Sequence, residues 1–174
     1  GAAVAGYHMF AHVKRRVAIW LNPWSDYDNA GYQIIHSLMA IASGGLFGVG
    51  LGLGSPTTIP VYYTDFIFSV IGEELGMVGC VLTLLLLTAI IIRCIIVARN
   101  ARTKMDAYIC VGVIAMLMFQ IIANVGMCLF IMPVIGLTLP FFSYGGSSIV
   151  MLFVAMGLVS GVHGRSAPDW LKGA

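Results

Sequence analysis

"GMVGCVLTLLLLTAIIIRCIIVAR", residues 76–99, carries charge only at Arg93 and Arg99. As a helix it reaches about 36 Å at about 1.5 Å per residue, more than the roughly 30 Å hydrocarbon core of a bilayer. The stretch predicts a transmembrane helix, with Arg93 snorkelling toward the end it is near. Working outward, "AYICVGVIAMLMFQIIANVGMCLFIM" (107–132) predicts a second span, and "SSIVMLFVAMGLVSGVHG" (147–164) a third, shorter one. Between these two lies "PVIGLTLPFFSYGG", a loop punctuated by Pro and Gly.

The whole composition agrees with that reading. Of 174 residues, 60% are hydrophobic and 9% charged, against about 25% charged in an ordinary globular domain. The expected fold is all-α: a polytopic membrane protein forming a helical bundle, one membrane domain over 1–174. A net charge of +2 is too small to imply a nucleic-acid partner. Cys80, Cys94, Cys110 and Cys128 fall in apolar stretches with no C-x-x-C pair. Neither a metal site nor a disulfide framework is expected, and the four read as small core- or lipid-facing residues.

Charge orients the spans. Arg99, Arg102 and Lys104 sit in the short connection between the first two, which places that loop in the cytoplasm. Arg165 and Lys172 follow the third span two crossings later, on the same side, so 165–174 reads as a cytoplasmic tail. Asp65, Glu73, Glu74 and the "SYGG" loop then face outward.

Residues 1–12, "GAAVAGYHMFAH", read as the end of a membrane helix that began earlier, so a fragment of a longer protein is expected. Residues 13–75 read as an extracytoplasmic loop region with short helices. It begins with "VKRRVAIWLNPWSDYDNAGYQ", where aromatics suit headgroup depth and Pro23 breaks helix. In "IIHSLMAIASGGLFGVGLGLGSP" the first half suits a short helix, but the second is too rich in Gly for a spanning one. Composition alone slightly favours a crossing by 32–54, which would put the preceding cations inside; the glycines weigh against it, and the segment is expected to re-enter or lie on the surface, lining a cavity whose walls satisfy the irregular backbone. Lys14, Arg15 and Arg16 then lie outside, against the positive-inside tendency, and an anionic headgroup is a reason to hold them there.

The candidate chemistry is concentrated on that outer face. Asp65 sits among Tyr63, Phe66, Ile67 and Phe68, where a carboxylate is costly and functional by default. Its partial desolvation suits a general base near neutral pH; a helix cap before an apolar run is the other reading. If 65–75 is helical, Glu73 lies about 80° around from Asp65 and Glu74 nearly opposite. Glu73 is then a candidate for the same cavity, and both also suit the positive N-terminus of the following helix. Lys14, Arg15 and Arg16 suit a pyrophosphate, since Arg forks match phosphate oxygens, or act as interfacial anchors. Gln120 and Asn124 share a helix face and read as helix–helix hydrogen bonding. "SYGGSS" (143–148) offers either backbone N–H groups to an anion or close helix packing. His36 reads as a buried hydrogen-bonding residue.

Three stretches, "NPWSDYDNAGYQIIHSLMAIASGGLFGVGLG", "TDFIFSVIGEELGMVG" and "NVGMCLFIMPVIGLTLPFFSYGGSS", together resemble the SEDS proteins (shape, elongation, division and sporulation), the RodA, FtsW and SpoVE group. The likeness runs from about Val13 to Val162. It implies the C-terminal part of a ten-helix fold in the bacterial cytoplasmic membrane. It also implies a glycosyltransferase that polymerises lipid II, the disaccharide-pentapeptide on undecaprenyl pyrophosphate, for elongation, division or sporulation. The essential acid of the family's "TDFIF" motif maps to Asp65. Lys14, Arg15, Arg16, Glu73, Gln33, Ser143 and Tyr144 are the expected substrate-binding residues. A class B penicillin-binding protein is the expected partner, its membrane helix against 76–99 and 107–132. Departures from the family pattern are Tyr63 for a usual His, His36-Ser37 for Gln-Ser, Ile135 in "PVIG", and Phe130 where Gly is common.

The expected mechanism is a single inverting displacement. Asp65 takes the proton of the acceptor hydroxyl, and Arg15, Arg16 or a divalent metal stabilises the departing pyrophosphate. No other cofactor is expected. A lipid II flippase and a non-catalytic scaffold for the penicillin-binding protein are the alternatives.

Overall fold

The computed structural model of the chain describes residues 14, 16–26, 30–54 and 63–166. The expectations for residues 1–12, for Arg15 and for the tail beyond Ser166 lie outside the described residues. Residues 16–21 are helical, and a 3-10 turn, Pro23–Asp26, follows the break at Asn22. Then come α1 (Ala30–Gly44), α2 (Ile67–Arg99), α3 (Lys104–Cys128) and α4 (Gly146–Ser166), with no strand among the described residues.

Three of these helices, α2, α3 and α4, are long and apolar enough to cross a membrane. Their apolar surface faces outward: Leu82, Leu85, Phe119 and Phe153 each expose more than half of their surface, which suits lipid rather than water. The four-residue connection 100–103 makes α2 and α3 antiparallel. Arg165 Nη2 meets Asp106 Oδ1 at 2.8 Å, bringing the end of α4 to the start of α3. The Tyr144 amide donates to the Tyr63 carbonyl at 2.9 Å, bringing the segments before α4 and α2 together at the opposite end. The bundle thus has an Arg99 end, which holds Arg99, Arg102, Lys104 and Arg165, and an Asp65 end, where Arg16 lies.

Two buried clusters hold it together. Toward the Arg99 end, Cys94, Val97, Cys110, Val113 and Leu117 pack with Leu152, Ala155, Val159 and Val162. Toward the Asp65 end, Ala40, Phe66, Phe68, Leu87, Cys128 and Leu139 pack together. Cys94, Cys110 and Cys128 are free and buried, filling space between helices as small apolar residues do.

The helix ends differ from the sequence reading for local reasons. α3 begins at Lys104 rather than 107 because Thr103 caps it, its Oγ1 accepting from the Asp106 amide at 3.1 Å. It stops at Cys128 rather than 132, because Phe130 turns to φ 62°. α2 starts at Ile67, nine residues before 76, and is broken inside at Gly76, whose φ 66° and ψ −162° are non-helical.

That break is where the Gly-rich segment lies. α1, with 15 residues, reaches only about 22 Å. It runs beside the first third of α2: Ser37 Oγ hydrogen-bonds Ser69 Oγ, and Ile41 packs on Gly72. Residues 45–50 then fill the gap in α2. Val49 and Gly50 amides donate to the Glu73 and Glu74 carbonyls at 2.9 and 3.1 Å. The Met77 and Val78 amides donate in turn to the Gly45 and Leu46 carbonyls at 2.9 and 3.2 Å. A broken helix leaves carbonyls and amides without intrahelical partners, and this loop supplies them, as irregular backbone near a membrane requires. From Gly76 to Arg99 α2 still spans about 36 Å, enough to cross alone.

The Arg165–Asp106 pair closes the Arg99 end, but Arg165 is 64% exposed. Arg165→Gln is therefore expected to shift stability in detergent by no more than about 1 kcal/mol, read from a thermal or denaturant unfolding midpoint.

Candidate active site

Asp65 lies in the turn 63–65 that precedes α2, and not on the helix itself. The helical angle between Asp65 and Glu73 therefore does not apply. Phe66, the next residue, is 1% exposed and anchors this turn in the core. The backbone of Asp65 is held from α3: Asn124 Nδ2 donates to the Asp65 carbonyl at 2.9 Å and to the Leu137 carbonyl at 2.6 Å. The same helix places Cys128 Sγ 3.8 Å from the Asp65 carbonyl.

The carboxylate meets the loop after α3. Gly136 has φ 77°, a left-handed conformation that favours glycine, and a β-carbon there would come 3.3 Å from Asp65 Oδ2. Arg16 reaches the two preceding residues. Its Nη1 donates to the Val134 carbonyl at 2.9 Å and to the Ile135 carbonyl at 3.2 Å. Trp20, one helical turn further on, donates its indole N–H to the Phe130 carbonyl at 3.1 Å. The helical stretch 16–21 is thus pinned onto the loop that faces Asp65.

Gly136 also borders a cleft of about 360 Å³ between α3 and α4. Its polar lining comes from Gln120, Thr138, Ser143, Ser147 and Ser148. Thr138 Oγ1 and Ser148 Oγ share a hydrogen bond of 2.6 Å across it. Ser143 is partly committed to the fold, since its Oγ accepts from the Leu139 amide at 2.7 Å. Tyr144 is exposed and its ring meets Tyr63 edge-on, centroids 6.2 Å apart, two residues from Asp65.

The expected residues are thus only partly gathered. Asp65 and Arg16 border the loop 130–145, which itself carries Ser143 and Tyr144. Lys14 is exposed on the segment leading into Arg16. Glu73 goes elsewhere: it is buried, with its carboxylate carbon where it would lie 3.1 Å from a β-carbon on Gly54. It belongs with the 45–54 loop, as does Glu74, whose Oε1 accepts from the Gly52 amide at 3.2 Å. Gln33 is half-buried on α1, one turn before Ser37, which reaches Ser69 and the Cys128 carbonyl. His36 stacks on Tyr32 with centroids 3.9 Å apart. Among the described residues no three His, Cys, Asp or Glu side chains converge as metal ligands do. The reading of the residues passed over Gly136, Trp20 and Thr138. A glycine between Pro133 and Pro140, and a Trp one turn after a cation triplet, were the available signals.

Phe130 holds a left-handed φ of 62°, disfavoured for an aromatic residue. Glycine there would relieve roughly 1–2 kcal/mol. It would also forfeit the Trp20–Phe130 edge contact, centroids 6.5 Å apart, worth about 0.5–1.5 kcal/mol. The two nearly cancel. Phe130→Gly is expected to change stability by less than about 1 kcal/mol, where Phe66→Ala in the core loses about 3–5 kcal/mol; unfolding midpoints of the two variants decide it.

The FtsW/RodA/SpoVE family model, described as a cell cycle protein, matches residues 1–167. The chain belongs to that family. It is similar to the peptidoglycan glycosyltransferase RodA of Mycobacterium bovis, 41% identical over 97% of this chain and 36% of the relative. It is also similar to the stage V sporulation protein E of Bacillus subtilis, 42% identical over 85% of this chain and 41% of the relative. A probable peptidoglycan glycosyltransferase FtsW of Geobacter metallireducens is 38% identical over 87% of this chain and 41% of the relative. The chain thus spans about two fifths of the length of these relatives. Among solved structures, one reported for the coordination of polymerization and crosslinking by a peptidoglycan synthase complex has a TM-score of 0.71 at 36% identity. It covers 89% of this chain and 42% of that one. A crystal structure of an aspartate-to-alanine mutant of Thermus thermophilus RodA has a TM-score of 0.59 at 40% identity, covering 76% of this chain and 41% of that one. As a member of the FtsW/RodA/SpoVE family with three helices able to span a bilayer, this is a multi-pass protein of the bacterial inner membrane.

Proposed function

We propose that this chain carries the reacting end of a peptidoglycan glycosyltransferase that polymerises lipid II at the outer face of the membrane. The observation that carries the reading is the pairing of Asp65 with Gly136. A carboxylate at the end of the bundle opposite the Arg99 end faces a residue without a side chain, where a β-carbon would come 3.3 Å from Asp65 Oδ2. The names of the relatives supply the substrate class, and Arg99, Arg102, Lys104 and Arg165 at the other end support an outward Asp65, with Lys14 and Arg16 held beside it against the positive-inside tendency.

In this reading Asp65 accepts the proton of the acceptor sugar hydroxyl as its oxygen bonds to the anomeric carbon of the donor. The bond from that carbon to the pyrophosphate oxygen breaks on the opposite face, and the configuration inverts. Pyrophosphate leaves as a stable anion and needs no protonation, unlike the leaving group in glycoside hydrolysis. Lys14, Arg15 and Arg16 neutralise it. Arg16 spends one nitrogen on the loop carbonyls and retains other donors of its five-donor fork for phosphate oxygens. The hydroxyls and amide of the neighbouring cleft suit the uncharged face of a sugar. A class B penicillin-binding protein is the proposed partner, with its membrane helix against the exposed apolar faces of α2 and α3.

The test is polymerisation of labelled lipid II by the longest natural form of the chain with Asp65→Asn, alongside lipid II translocation in vesicles. Loss of polymerisation with the protein still inserted supports the assignment. Polymerisation at the parental rate ends it.

A further inference from the structure

We infer that Asn124 is a positioning residue for Asp65, its carboxamide setting where the carboxylate stands against the loop at Gly136. The inference rests on the reading of Asp65 as the base.

Asn124 lies near the end of α3 and has no exposed surface. Both hydrogens of its amide nitrogen are used, one on the Asp65 carbonyl and one on the Leu137 carbonyl. These acceptors come from different parts of the chain: the turn before α2 and the loop after α3. Leu137 adjoins Gly136, the residue that faces Asp65 Oδ2. A single side chain therefore sets the spacing between the carboxylate's own backbone and the surface opposite it. The amide has only one acceptable orientation, because turning it over would aim its oxygen at two carbonyl lone pairs.

The other end of the same group argues that the tie is its purpose. Asn124 Oδ1 is buried and has no hydrogen-bond partner among the described residues. An unmatched buried acceptor is a penalty that Ala or Leu would avoid. Helix–helix packing alone would be served better by an apolar residue, since α3 already packs there through Ala123, Met127 and Cys128, each no more than 1% exposed. The two donated bonds are what the carboxamide adds. Asp65 is held by its backbone through Asn124 and by Phe66 in the core, so the amide is a main constraint on the carboxylate's height over the loop.

A displaced base lowers turnover without weakening substrate binding. A misplacement of about 1 Å can lower a rate on the order of 100-fold. In the longest natural form, Asn124→Leu is expected to lower kcat by about 10–100-fold while KM for lipid II stays within about twofold. Asn124→Ala removes both donors without adding a charge or bulk, and its kcat is expected to fall by a similar factor, about 10–100-fold; it also serves if the Leu variant fails to insert. The decisive readout is a double-mutant cycle. Added to Asp65→Asn, Asn124→Leu is expected to cause no further loss, because its effect passes through Asp65. A further loss of the same factor makes Asn124 merely structural and overturns the inference, as does parental kcat in both Asn124 variants while Asp65→Asn is inactive. If Asp65→Asn itself keeps the parental rate, it is the reading of Asp65 that has failed.

Discussion

Asp65→Asn in the longest natural form of the chain is expected to lower lipid II polymerisation by about 10²–10⁴-fold, the range that a general base contributes, with the amount of inserted, folded protein unchanged. The two halves of this expectation come from different atoms. The fold uses the backbone of Asp65: its carbonyl accepts from Asn124, and Asn at position 65 presents the same carbonyl. No hydrogen bond or ion pair of the carboxylate supports the fold among the described residues. Asn also matches Asp in size, so it fits the same place beside Gly136. What is lost is the capacity to take a proton. Retained activity would separate the chemistry from this turn altogether, whereas a loss of inserted protein would mean that the carboxylate holds structure. Quantifying inserted protein and rate on the same sample distinguishes the two.

The spans were legible in the sequence because a bilayer imposes a length and a polarity that few other folds need. Residues 76–99 and 107–132 contain almost nothing that water would hold. Their ends were less legible, because they depend on single residues: Thr103 capping α3 three residues early, and Phe130 turning the chain at φ 62°. The glycines of 44–54 lie where α1 stops, and 45–54 is turn and loop. That they fill a break at Gly76 could not be read, since the four hydrogen bonds join backbone groups some 24 to 32 residues apart in sequence.

The site followed the same division. A carboxylate among aromatics announces its own cost, so Asp65 stood out. Its supposed relation to Glu73 failed because α2 begins at Ile67, beyond Asp65, and helical periodicity says nothing across that boundary. Asn124 read as ordinary hydrogen bonding between helices because its targets, the carbonyls of Asp65 and Leu137, lie in two loops. Backbone acceptors carry no side-chain signature. Arg16 likewise read as a phosphate ligand, while its contacts with Val134 and Ile135 become visible only once the loop is folded.

Gly44→Ala and Gly76→Ala are expected to lose more than about 3 kcal/mol of stability each, which for a membrane protein should appear as little or no folded material surviving extraction. A β-carbon on Gly44 would sit 1.9 Å from the Gly72 carbonyl oxygen, and one on Gly76 only 2.4 Å from the Gly48 nitrogen. Neither obstacle is a side-chain tip that can swing away. Relief requires moving the 45–50 loop off α2, which breaks the four hydrogen bonds between them. At a net 0.5–1.5 kcal/mol per bond that is roughly 2–6 kcal/mol, and Gly76 adds about 1–3 kcal/mol, because φ 66° with ψ −162° is a backbone region essentially confined to glycine. Controls separate the contributions. Gly52 has φ 73° with nothing within 4 Å of an added β-carbon, so Gly52→Ala isolates the conformational cost at about 1–2 kcal/mol. Gly112 lies in α3 with equal space, and Gly112→Ala is expected to be neutral or to add about 0.5–1 kcal/mol. If Gly44→Ala behaves like Gly112→Ala, α1 does not approach α2 this closely. If it collapses while Asp65→Asn inserts normally, the seam at Gly76 carries the fold and the turn at Asp65 is free to serve chemistry.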